Sequence, residues 1–202
     1  MNLTDEQLQE FSKNHLCYEI DSLYSALELF AHHPKVEIKS LDDSLLMAQA
    51  NLLLEGTIIH SRCLYEFLYR DNSKKPDDAL AIHYFRNPQD WTSIRPTHSV
   101  ELAELSYRTG KQVAHLTYTR QTSDQIQNHW NLFDITNDLL STLILFANNA
   151  DKKKLHANVP RHIQFWTEKT SYEPGQTPSN FTSSDLLHGA KGATTPINLK
   201  PT

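Results

Sequence analysis

Glycine is scarce in this chain and unevenly placed: Gly56 and Gly110 are the only two in the first 170 residues, while Gly175, Gly189 and Gly192 fall in the last 32. Neither early glycine has a partner at the spacing of a phosphate-cradling loop, which sets that class of nucleotide site aside. Cysteine is scarcer still. Cys17 and Cys63 both lie in apolar, helix-periodic stretches. Two such residues do not make a secreted disulfide scaffold, and without activating cations both are expected to be core residues. No long apolar run occurs either. Leu139 to Ala147 is too short to cross a bilayer and contains Ser141 and Thr142. The opening Met-Asn-Leu-Thr-Asp-Glu-Gln is acidic and polar, the opposite of a signal peptide, so a cytoplasmic protein with no membrane partner is expected. Glu-x-x-His pairs are absent, which removes the ligands of a di-iron bundle. His60 and Cys63 stand one helical turn apart but lack a second ligand pair. Neither a metal nor a cofactor is expected. With a net charge of −5 and a pI near 6.1, an anionic partner would need a local basic patch.

What the chain does have is helical periodicity. Thr4 followed by Gln7 has the form of a capping box, with Leu3 and Leu8 placed as a hydrophobic staple. Leu16, Ile20, Leu23, Leu27 and Phe30 then make one apolar stripe that Pro34 ends. A second helix is expected from about Leu41 to Arg70, with one stripe at Leu46, Ala50, Leu53, Leu64 and Phe67. Its neighbouring stripe holds Leu45, Leu52, Ile59 and Cys63. After a proline-marked stretch in which Ala79 to Phe85 forms one or two turns, a third helix is expected over about His98–Arg120. A fourth follows over Ser123–Ala150, with Trp130 and Phe133 inward, and a short fifth runs after Pro160 through Trp166. Asp77-Asp78 is expected to cap the short segment, Asn137 to be a buried hydrogen-bonding residue, and Lys152-Lys153-Lys154 to be a solvated helix end. Together these predict an all-α bundle of four to five helices over residues 1–170, with a poorly structured tail over 171–202.

One segment stands out chemically. Leu105 to Ser123 carries Arg108, Lys111, His115 and Arg120 and no acidic residue. On an α-helix Arg108 and His115 are two turns apart on one face with Lys111 between them, and Tyr107 and Tyr118 add stacking surfaces. An imidazole suits proton transfer at a ribose 2′-hydroxyl. A guanidinium can grip a phosphate at two points and stabilise its transition-state charge. Single-stranded RNA is the natural substrate of such a pair.

Arg108, six intervening residues and His115 resemble the Arg-x(4–6)-His motif of the HEPN superfamily of helical-bundle domains. Gly110-Lys-Gln-Val-Ala-His-Leu-Thr-Tyr118 and the pattern Glu55…His60-Ser61-Arg62…Glu66-Phe67 are similar to segments of bacterial HEPN-like proteins. Active members often carry Asn, Asp or His directly after the arginine; here that place is Thr109. The resemblance implies a homodimer with two motifs in one cleft and a metal-independent endoribonuclease or RNA-binding role. It also implies a toxin–antitoxin or phage-defence setting, with an antitoxin or other protein partner. Arg108 and His115 would be catalytic, with Lys111, Tyr118 and Arg120 holding substrate. The stripe of Glu55, Ile59, Arg62 and Glu66, with His60 beside it, could face the third helix and support them. The alternative is a non-catalytic helical module that binds another protein.

Overall fold

The computed structural model describes residues 3–34, 39–72, 75, 77–114 and 130–170. The chain opens with α1 (Asp5–Phe11), started by the capping box the sequence predicts. Thr4 Oγ1 accepts from the Gln7 amide at 3.3 Å, and Gln7 Oε1 accepts from the Thr4 amide at 2.9 Å. Leu8 is buried, whereas Leu3 is exposed. A π-helical turn, Ser12–Leu16, joins α1 directly to α2 (Cys17–Ala31). The buried positions explain that turn. Leu8, Ser12, Leu16 and Ile20 are spaced four apart, a spacing that drifts round a helix of 3.6 residues per turn. One wider turn takes up the drift and keeps all four on the core face.

α3 (Leu41–Tyr69) is the central helix, capped by Ser40, whose side chain accepts from the Asp43 amide. It runs antiparallel to α2, with Glu19 opposite His60 and Ala26 opposite Gly56. Only one of its two expected stripes is inward: Ala50, Leu64 and Phe67 are buried, while Leu45, Leu52, Ile59 and Cys63 are exposed. The end of α3 is closed from outside the helix. The carbonyl of Leu68 accepts from Trp91 Nε1 at 2.8 Å and Arg95 Nη1 at 3.1 Å, which satisfies one of the carbonyls a helix end orphans.

A 3₁₀ turn at Ala81–Tyr84 matches the short helical stretch expected there. Asp78 does not cap it; its carboxylate closes the preceding turn by accepting from the Lys75 amide. α4 (Pro88–Ile94) was not expected. Asn87 caps it, Pro88 opens it, and Trp91 anchors it, fully buried. α5 (Val100–Thr109), capped by Ser99, passes into a second π turn at Gly110–Ala114. α6 (Leu132–Asn149) packs antiparallel on α3, with Tyr69 Oη 3.0 Å from Thr142 Oγ1 and Phe67 against Phe146. Trp130 precedes α6, and Phe133 is exposed because α6 turns Leu132, Ile135 and Leu139 inward instead. Asn137 is only half-buried; Thr136 and Thr142 are the buried polar residues of this helix.

α7 (Asn158–Thr170) returns along α2, with Trp166 stacked on Tyr24. Lys154 is no solvated helix end: its ammonium donates to the carbonyls of His83 at 3.1 Å and Phe85 at 2.8 Å. The core centres on Phe146, ringed by Phe67, Tyr84, Phe85 and Trp91. Among the described residues there is no strand, and no helix is long and apolar enough to cross a membrane. The architecture is an all-α helical bundle. The expected tail, 171–202, lies outside the described residues.

Candidate functional site

Leu102, Leu105 and Thr109 turn α5 onto the core, and Thr109 Oγ1 donates back to the Leu105 carbonyl at 2.7 Å. Their placement leaves Arg108 on the flank of the helix, half-buried, with its guanidinium carbon 4.1 Å from the centroid of Trp130. Burial draws the Arg108 pKa below its ordinary value, while the carboxylates of Glu104 and Glu101, one and two turns back, pull the other way. The acid-free stretch that begins at Leu105 therefore has acidic neighbours just upstream. Lys111 leans back over Tyr107, its ammonium 6.0 Å from that ring. His115, Tyr118 and Arg120 lie outside the described residues. The described backbone does alter one premise. Gly110–Ala114 is π-wound, so the face relation of an α-helical seven-residue spacing does not carry across it.

The three supporting residues divide. Arg62 pairs with Glu66 at 2.9 Å, and the same Glu66 oxygen accepts from Arg70 at 2.8 Å and from Ser106 Oγ of α5 at 2.9 Å. The second-helix stripe therefore does reach the third helix, at Glu66 rather than at Glu55, which is exposed. His60 faces the other way and holds Glu19 of α2, Nδ1 to Oε2, at 2.8 Å beneath the edge of Tyr18.

Cys63 lines a small apolar hollow with His15, Leu16, Glu19 and Phe67. Desolvation, with the charges of Glu19 and Glu66, pushes its thiol up to about 11. It is a poor nucleophile at neutral pH. Among the described residues no group of three or more His, Cys, Asp or Glu side chains could hold a metal ion.

Two features gave no local signal in the sequence. Trp130, the platform under Arg108, reads there as one more position on a helical stripe. The second is a cleft between α2 and α7, where Asp21 holds His162 and Trp166; those partners are 141 and 145 residues apart. No family model, curated protein or solved structure matches the chain.

Proposed function

We propose that the chain is a HEPN-like RNA-binding module that cleaves single-stranded RNA without a metal, with Arg108 and His115 as its catalytic pair. In this reading His115 takes the proton of a ribose 2′-hydroxyl. The 2′-oxygen attacks the adjacent phosphorus, the bond to the 5′-oxygen breaks, and that oxygen takes a proton from water as it leaves. The products are a 2′,3′-cyclic phosphate and a 5′-hydroxyl. Arg108 grips the phosphate, Lys111 and Arg120 add positive charge, and Tyr118 offers a stacking face. The homodimer and the toxin–antitoxin or phage-defence setting belong to the same proposal.

The observation that carries it is the seat of Arg108. The guanidinium carbon lies 4.1 Å from the Trp130 centroid, and a guanidinium stacked on an aromatic ring can still grip phosphate through its edge. A half-buried cation whose burial lowers its pKa also gains from an incoming anion.

The test is cleavage of labelled single-stranded RNA by the purified full chain in excess chelator, with end-group analysis. His115→Ala is expected to slow cleavage on the order of 10²–10⁴-fold, and Arg108→Lys to fail because an ammonium lacks the planar fork. An RNA that stays intact and unbound refutes the proposal.

A second reading, a non-catalytic interaction module, is favoured by the exposed line of Leu41, Leu45, Leu52 and Ile59 along α3. It predicts partner binding that Arg108→Lys leaves unchanged.

A further inference from the structure

The cleft between α2 and α7 has a volume of about 570 Å³ and is lined by Asp21, Ser25, Arg161, His162, Phe165 and Trp166. Within it Asp21 makes two hydrogen bonds, and the Asp21 and His162 side chains are both partly exposed. Asp21 Oδ2 is 2.8 Å from His162 Nδ1, and Asp21 Oδ1 accepts from Trp166 Nε1 at 2.8 Å. Both carboxylate oxygens are thereby engaged, and the imidazole is held in one orientation with Nδ1 toward the acid. Its other nitrogen, Nε2, has no hydrogen-bond partner among the described residues.

The rim supplies the rest. Arg161, Phe165 and Lys169 are spaced four apart and form one exposed stripe of α7. Phe165 is 50% exposed, and the Lys169 ammonium lies 5.3 Å from its ring centroid. Glu168 is bound to Gln164 at 2.9 Å. Phe165 also meets Trp166 edge-on, ring centroids 5.0 Å apart, which holds the exposed ring in place beside the cations.

We infer that this cleft binds a nucleoside phosphate. The base stacks on Phe165, and the phosphate lies against Arg161, with the Nε2–H of the protonated His162 ring donating a second hydrogen bond to it. Sequence-tolerant stacking beside cations is how single-stranded nucleic acids are held, and Arg161 supplies the two-point geometry for phosphate. The site rests on the cleft alone and does not depend on the role of Arg108. Its ligand is either a free mononucleotide or one nucleotide unit of an RNA strand, which share this chemistry.

The experiment follows the Trp166 indole N–H resonance of the full chain during titration with adenosine 5′-monophosphate, adenosine, inorganic phosphate and a ten-residue oligoadenylate. The mononucleotide is expected to shift that resonance, and adenosine and phosphate alone to bind at least about tenfold more weakly. Phe165→Ala and Arg161→Gln, both at exposed positions, are each expected to weaken binding about tenfold with unchanged melting temperature. Tighter binding of the oligonucleotide, weakened by the same two substitutions, identifies the strand as the source; equal binding identifies the free nucleotide. The Trp166 indole reports on this cleft and not on Arg108, so failure of the RNA-cleavage proposal and failure of this one are separable. An indole signal that neither nucleotide nor oligonucleotide moves at concentrations on the order of 10 mM overturns the inference, as does binding that both variants leave unchanged.

Discussion

If Arg108 is seated on Trp130 as the geometry indicates, the two residues are energetically coupled, and the coupling has a definite size and salt dependence. A cation over an indole contributes about 0.5–1 kcal/mol at an exposed site and about 2 kcal/mol when desolvated. Arg108 is half-buried and 4.1 Å from the ring centroid, which places the expected coupling near 1 kcal/mol. Trp130→Leu alone will cost more than that, because Trp130 is itself a buried core residue and its truncation leaves a cavity. A cycle with Arg108→Met and the double variant cancels the cavity cost and isolates the pair. Urea unfolding followed by circular dichroism is the assay, run at low salt and at about 1 M salt. The Arg108–Trp130 coupling is a short-range face contact and should survive high salt. The attraction from Glu104 and Glu101 acts at longer range and should be screened. Effects of Arg108→Met and Trp130→Leu that add to within about 0.3 kcal/mol would refute the seat, and with it the observation that carries the proposed role of Arg108.

Glu66 collects Arg62, Arg70 and Ser106 on one oxygen, so Glu66→Gln should lower stability by about 1 kcal/mol after discounting for the partly solvated arginines; an unchanged urea midpoint would show the cluster to be energetically idle. His83 is held below its ordinary imidazole pKa by burial and by Lys154, and its Nδ1 accepts from the Leu80 amide at 3.4 Å. Because its folded pKa is depressed, the fold favours the neutral ring. This contribution is complete above the unfolded value of about 6.5 and is lost as pH falls through the folded value. The melting temperature should therefore drop as pH falls below about 6.5, and the drop should be smaller in His83→Gln. Leu45, Leu52 and Ile59 recur every seven residues along α3 and so share one exposed apolar face. The chain should sediment as a dimer at micromolar concentration, and Leu52→Glu should render it monomeric without unfolding it.

Features set by neighbours three or four residues apart were legible in the sequence. Both bonds of the Thr4–Gln7 box form, and α3 ends one residue before the expected Arg70. Distant partners were not. Lys154 reads in the sequence as part of a solvated helix end, but its ammonium reaches back to the carbonyls of His83 and Phe85. Cys63 and the leucines beside it share a helical face whose periodicity says "apolar" without saying whether a helix lies opposite. Glu66 was placed on the right face, but that it, rather than Glu55, meets α5 depends on where the two helices cross. Asp21 and His162 carry no local pattern at all.

The π turn of the first helix has a consequence for how the chain assembles. Around it, Gln9 donates to the carbonyl of Lys153 at 2.9 Å, and Ser12 Oγ accepts from the His156 amide at 3.0 Å. Further along, Asp21 holds His162 and Trp166. These partners are 141 to 145 residues apart. The first helix formed is thus among the last to be completed, since its wide turn is fastened by segments synthesised far later. Closing so long a loop costs chain entropy before any of these bonds repays it. On the ribosome, α2 can pack on α3 once residues 41–69 have emerged, but the clasp at Gln9, Ser12 and Asp21 must wait for residues 151–166. Folding speed should therefore respond to substitutions at Ser12 and Asp21 less than unfolding speed does, because the clasp they make closes after the rate-limiting step.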